Sequence, residues 1–541
     1  MRFQLRFRFQ GRGLPLLLCG FLTVVTGASW LPAQLQSSSA TRTSSDPVTI
    51  SGRVINAVSG QPVVRALVRF QDRALLTRQD GKFEFDQVTD AGGNLEAIKP
   101  GFYSSIDAGG GGGISWRANQ STAPVELRLY PEAIFTGTVT GPDGDPLPYV
   151  MVSARRSVFS GSSHGWSVAA QRQTDSHGRF RLPVPPGDYK LESAYIPRIR
   201  GGDQAVLPVI LPSNSSSGTS GFIRIRGGEE QRFDLHPATS RSYTVTATFD
   251  SDVVRGFPRI TARSSNGGRL TLPVKFSGSG ASAGAQIELP SGTFTLSASI
   301  LTPNGAEQAE TSVTITDHGV SGVIFHLMPV PTLPIELQQD AAASSGNTQA
   351  SLQQLGLTLE NSQPDADAFN STIRPSTRRD RTVAFTAPIG TYRLRAHGNG
   401  AWYIQSASYG ASDLLQQNLV VGPGAGGTPI RITVSDQTAG LQGTCRLGDA
   451  PSDCWVYLVP TTPSAETVFI LHGSNPQGSY SYAHLPPGSY QAVAFEERYS
   501  ADYSDPATLA PFATHVRSVT LNAGEKPTLD LDVVPVTEMA P

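Results

Sequence analysis

An all-β protein, a tandem array of about five β-sandwich modules, is what this sequence predicts, and three observations carry the prediction. First, one short phrase recurs at steps of 105, 98 and 98 residues: Pro185-Pro186-Gly187-Asp188-Tyr189, Pro290-Ser291-Gly292-Thr293-Phe294, Pro388-Ile389-Gly390-Thr391-Tyr392 and Pro486-Pro487-Gly488-Ser489-Tyr490. That period is the length of one small sandwich domain, and recurrence at a fixed period marks an array. Second, each phrase is turn chemistry, with Pro presetting φ and Gly accepting a positive φ. It runs into an aromatic with period-2 alternation, as in Tyr189-Lys190-Leu191-Glu192, which reads as a half-buried strand. Third, only 16% of residues are charged, while Gly and Pro number 55 and 40. Few charges and many turn formers suit short strands and tight loops, and 541 residues are too many for one core.

The elements follow in order. Residues 1–33 read as an export signal: Arg2, Arg6, Arg8 and Arg12 precede an apolar stretch from Leu14 to Val25, and cleavage after Ala28 or Ala33 fits the small residues there. Cys19 follows Leu18, where a lipoprotein signal wants a small residue, so it reads as part of the apolar stretch. Residues 34–46 are a Ser/Thr-rich linker. The first module, 47–131, opens at Val48 to Val54, turns at Ser59-Gly60-Gln61-Pro62 and reaches Gln79-Asp80-Gly81-Lys82-Phe83. Its counterpart of the recurrent phrase is assigned to Lys99-Pro100-Gly101-Phe102-Tyr103. The second, 132–237, repeats this order from Gly137-Thr138-Val139 through Asp143-Gly144-Asp145-Pro146 to Asp175-Ser176-His177-Gly178-Arg179-Phe180. The third and fourth, 238–330 and 331–435, are more diverged and keep the phrase with its flanking strands. The fifth, 436–541, returns to the pattern at Gly443-Thr444-Cys445 and Gly478-Ser479-Tyr480. Helix is expected only in short pieces, around Ser412 to Gln417 and Asp505 to Pro511.

On these residues, above all the openings at Gly52, Gly137 and Gly443, the modules resemble the carboxypeptidase regulatory-like domain, an Ig-like or transthyretin-like β-sandwich. The likeness spans nearly the whole chain after residue 46 if the diverged modules are counted, and about half of it otherwise. The segment from Asp502 to Val534 is similar to the ending of secreted bacterial multi-module proteins. The resemblance implies architecture only, since that family shares no catalytic or ligand residues.

The search for chemistry supports a non-enzymatic reading. None of the nine histidines has Glu three residues later, so the zinc site of a metallocarboxypeptidase is missing. Gly161-Ser162-Ser163-His164-Gly165 fits a nucleophile-elbow pattern, yet it lies in a Ser/Gly-rich insert of a β-module and reads as a loop. Gly422 to Gly427 fits a dinucleotide fingerprint, but a strand follows where a helix is required. Asp143, Asp145 and Asp175 sit in turns, where Asx hydrogen bonds are their ordinary use, and no calcium-loop spacing is present. No metal or cofactor is expected. Cys445 and Cys454 flank an eight-residue loop and form either a cross-strand disulfide or two buried thiols. Trp116, Trp166, Trp402 and Tyr403 follow or lie in Gly-rich loops; they either stack on a sugar ring or plug the end of their own sandwich, whereas Trp455 in a clear strand is a core residue. A net charge of −2 speaks against nucleic acid as a partner. The expectation is a secreted or cell-envelope structural or interaction protein, in the periplasm, on the outer surface or outside the cell. Its partner would be a protein or polysaccharide of the envelope, with no membrane-spanning helix after the export signal; the alternative is a carbohydrate-binding protein using the loop aromatics.

Overall fold

The computed structural model describes residues 47–88, 92–104, 113–117, 124–160, 163–198, 203–212, 221–250, 258–264, 269–278, 283–302, 305–340, 351–362, 372–378, 381–398, 401–473 and 477–539. The export signal and linker expected over 1–46 lie outside them. The described chain is all-β, a series of two-layered sandwiches each with its own apolar core. No helix among the described residues is long and apolar enough to cross a membrane.

One pairing rule recurs in all five sandwiches. The opening strand pairs parallel with the closing strand: Val48–Asn56 with Val125–Pro131, Ala133–Thr138 with Glu230–Arg232, Thr239–Phe249 with Val320–Phe325, Thr332–Gln339 with Ile430–Ser435, and Ala439–Leu447 with Leu531–Val534. Parallel neighbours need a long connection, here the rest of the sandwich. Because the two strands run the same way, the chain enters a sandwich at one end and leaves at the other. That geometry suits modules joined head to tail.

Space on this seam explains the glycines that open the pattern. A Cβ on Gly137 would lie 1.8 Å from the Phe233 carbonyl oxygen, and one on Gly443 would lie 1.8 Å from that of Leu529. Aromatic side chains from the following turn close the other side, Phe180 and Tyr480 respectively. Just beyond each glycine a threonine is held alike: the amide and hydroxyl of Thr138 both donate to Asp234 Oδ1, and those of Thr444 to Asp530 Oδ1.

The Pro-x-Gly phrase sits at the corner where the chain passes from one layer to the other. Arg179–Val184 belongs to one sheet of the second sandwich and Gly187–Ser193 to the other, with Pro185-Pro186 between them. The same step separates Gly284–Pro290 from Gly292–Thr302, Val383–Thr386 from Gly390–Arg395, and Ser479–Leu485 from Gly488–Phe495. Gly187, Gly292 and Gly488 have φ of 152°, 143° and 155°, whereas Gly390 needs no positive φ. The aromatic that follows is buried each time. Its hydroxyl, where present, donates back to the carbonyl of the first proline: Tyr189 to Pro185 at 2.6 Å, Tyr392 to Pro388 at 2.9 Å, Tyr490 to Pro486 at 2.6 Å. This is the bond of a tyrosine corner. Burial pushes the Tyr392 phenol up to about 12, so it remains a donor.

Some expectations are corrected. In the first sandwich the corner falls between Lys82–Val88 and Gly92–Ile98, so Lys99-Pro100-Gly101-Phe102-Tyr103 is not its counterpart. It lies past the far strand, and Phe102 and Tyr103 pair with Pro131 and Tyr130. Ser412–Asp413 is a short strand rather than a helix, because the Asp413 carboxylate captures the Leu415 amide and tightens the chain into a turn. Ser163 to Gly165 extend a long hairpin, Met151–Ser160 with Ser163–Gln173, rather than a loop; Gly161 and Ser162 lie outside the described residues. Pro506–Phe512 is a 3-10 helix, with Asp505 accepting from the Ala507 amide.

The fifth sandwich differs from the others. Its closing strand pairs with both Ala439–Leu447 and Gly488–Phe495, joining the layers into one eight-stranded sheet. The strand Cys454–Pro460 is buried on both faces. A second apolar cluster lies behind it, where Tyr503, Leu509 and Phe512 cover Tyr457, Val493 and Phe495.

Candidate functional site

The aromatics proposed as a glycan platform are spent on packing. Trp116 is 6% exposed and meets Phe70 edge-on with centroids 5.6 Å apart, inside the first core. Trp166 is 3% exposed, with the Lys190 ammonium 4.5 Å from its ring centroid. Trp402 is 7% exposed and belongs to the fourth core, while Tyr403 is half-buried at the start of Tyr403–Tyr409. The three buried tryptophan rings offer no free face for stacking on a sugar, which leaves the carbohydrate alternative without support. The flanking glycines suggested exposure; what the sequence hid is that Trp116 and Trp166 lie within strands and their rings turn inward. Trp455 departs from expectation in the other direction. It is half-buried, its ring stacked on His472 at 4.3 Å, with the Arg498 guanidinium 5.9 Å from its centroid.

Cys445 and Cys454 are joined in a disulfide, both fully buried. The turn aspartates make Asx hydrogen bonds: Asp143 accepts from the Asp145 amide, and Asp175 from the amides of His177 and Arg179.

Polar chemistry collects instead at the joints between sandwiches. At the joint of the fourth and fifth, the Ala396 amide donates to the Ala465 carbonyl at 3.2 Å, and Ala465 belongs to the fourth core. A cavity of about 210 Å³ lies there, lined in part by His397, Gly398, Glu466, Phe469 and Tyr482. Burial raises the Glu466 carboxyl to about 8, with only the Gly398 amide favouring the ionised form. Beside it, Glu360 and Arg395 form a buried pair, each 3% exposed, with Nε to Oε2 3.6 Å; His397 Nε2 is 3.8 Å from the other Glu360 oxygen. Burial lowers the Arg395 guanidinium to about 10, helped by Arg393 and opposed by Glu360 and Asp502.

Arg128 makes a second joint. Its guanidinium, 27% exposed, donates to Glu126, Glu496 and Glu497, the last two in the fifth sandwich. Burial alone would lower it; Glu497 and Glu496, with Glu126, outweigh that and hold it well above the usual range. At the joint of the second and third sandwiches, Tyr195 donates to the Glu288 carbonyl at 3.0 Å and Arg198 pairs with the Glu288 carboxylate. None of these sets aligns an acid, a base and a nucleophile on one open surface. No short-range signal marks them, because Arg128 and Glu496 are 368 residues apart.

No family model matches the chain, and no curated protein matches it. Among solved structures it is similar to a streptococcal ancillary pilin, at 10% identity and TM-score 0.18, covering 54% of this chain and 99% of that one. It is also similar to the Bacillus anthracis TIE protein, at 14% identity and TM-score 0.17, covering 52% of this chain and 51% of that one. A third is BcpA, the major pilin subunit of Bacillus cereus, at 8% identity and TM-score 0.13, covering 74% of this chain and 99% of that one. TM-scores this low carry no function across.

Proposed function

We propose that this is an exported, non-catalytic structural or interaction protein of the cell envelope or its exterior. It is built of five sandwiches bounded at 47–131, 132–237, 238–330, 331–435 and 436–541, after an export signal over 1–33. The observation that carries the reading is the seam and corner repeated through the chain, which spends the distinctive aromatic and polar residues on folding and joining modules. A buried disulfide suits an oxidising compartment. The openings and turns of sandwiches one, two and five, with the Pro-x-Gly corners of two and five, support likeness to the carboxypeptidase regulatory-like domain. The partner is a protein or polysaccharide of the envelope, met through surfaces that differ between modules.

The test is fractionation of cells expressing a C-terminally tagged chain, with broad fluorophosphonate and epoxide probes applied to the purified protein. Processed protein outside the cytoplasm, unlabelled by either probe, is expected. Cytoplasmic retention, or stoichiometric labelling abolished by one substitution, would overturn the reading.

A further inference from the structure

The connection 496–516 of the fifth sandwich, between Gly488–Phe495 and Arg517–Leu521, has two sides. Inward, Tyr499, Tyr503, Leu509 and Phe512 pack on Tyr457 and Phe495; the Tyr499 and Phe495 rings stack at 4.9 Å and those of Tyr503 and Tyr457 at 5.2 Å. The Tyr457 hydroxyl accepts from the Tyr499 amide at 2.8 Å, and the Tyr503 hydroxyl donates to the Tyr499 carbonyl at 2.7 Å. This aromatic packing ties the segment to the sandwich behind it.

Outward, the same segment bonds directly to the first sandwich. Glu496 accepts from Arg128 Nη2 at 2.9 Å and from the Val536 amide at 2.9 Å. Glu497 accepts from Arg128 Nη1 at 3.1 Å and from the Tyr130 hydroxyl. Arg128 and Tyr130 stand on the closing strand of the first sandwich.

We propose that the 496–516 connection is an intramolecular keystone: it closes the tandem array by docking the first sandwich on the fifth, and the Arg128 fork on Glu496 and Glu497 is its latch. Beads in a row would leave the first and fifth sandwiches apart. A forked guanidinium satisfied by two adjacent carboxylates fixes geometry as well as charge.

Small-angle scattering and mass measurement on the full chain test this. The compact-globule relation gives a radius of gyration of about 24 Å for a chain of this length, against roughly twice that for five units in line. Wild type is expected nearer the compact value. Arg128→Glu should raise it by about a fifth or more, with unchanged near-ultraviolet circular dichroism, and adding Glu496→Arg and Glu497→Arg should bring it back. If Arg128→Glu fails to fold, the isosteric pair Glu496→Gln and Glu497→Gln takes its place with the same expected expansion. An extended wild type, no expansion in a folded latch variant, or a doubled mass showing the contact to lie between copies would each overturn the keystone.

Discussion

The hydroxyl of Tyr490 is a sharp test of the corner, because the chain already carries the variant. Phe294 occupies the same place in the third sandwich, equally buried, with no hydroxyl to bond the proline carbonyl. The bond at Tyr490 is therefore an increment on packing rather than a condition of folding. Tyr490→Phe should cost about 0.5–1.5 kcal/mol, the net worth of one hydrogen bond, read as a small fall in melting temperature. A loss several times larger would show that the corner depends on the bond. Gly443→Ala is the harsher change, since its Cβ would stand 1.8 Å from the Leu529 carbonyl oxygen and backbone must move. A cost of at least about 1–3 kcal/mol is expected, where an equivalent change at the open turn glycine Gly410, with nothing within 4 Å, meets only backbone strain at its φ of 58°. Side-chain direction was the part least legible at this scale. Trp116 and Trp402 follow runs that read as loops, and whether a ring at a loop end turns in or out depends on strand register that composition does not carry.

Among the elements, what was legible was whatever repeats locally. Turn residues and period-2 alternation located the corners of the second to fifth sandwiches, the strands around them and the fifth sandwich's cysteine hairpin. What was not legible was which sheet a strand joins. The Pro-x-Gly corner looks like a hairpin turn in sequence, yet it separates layers, and the parallel seam joins strands a whole sandwich apart. Register at Lys99-Pro100-Gly101 was misjudged for the same reason, composition without pairing. The disulfide closes the short connection between Ala439–Leu447 and Cys454–Pro460, with a sequence separation of 9. A loop that short gains about 2–3 kcal/mol from chain entropy. Replacing both cysteines by alanine should lower the melting temperature of the transition containing the fifth sandwich and leave the others in place. Equal shifts in every transition would mean that the sandwiches unfold as one cooperative block.

At the scale of the whole molecule the joints decide behaviour, and Glu466 makes one of them sensitive to pH. Its carboxyl lies at the joint of the fourth and fifth sandwiches, where burial raises it from 4.5 to about 8 in the folded chain. Below pH 4.5 the group is neutral folded or unfolded, and its contribution is fully present. Between pH 4.5 and 8 the unfolded chain ionises while the folded chain resists, so stability is lost as pH rises, and above the folded value the loss is complete. Tyr490 senses the same carboxyl and stays protonated across this range, raised by burial first and by Glu466 second. Carboxylates elsewhere work the opposite way: hydrogen bonds hold Asp234 and Asp530 below their usual range, and they lose stability as pH falls. Comparison with Glu466→Gln separates the two, since the amide keeps the shape and cannot ionise. Calorimetry from pH 4 to 9 should show the wild-type melting temperature falling relative to the variant between about pH 4.5 and 8, then running parallel to it. Parallel curves throughout would place Glu466 in water and leave the joint indifferent to pH.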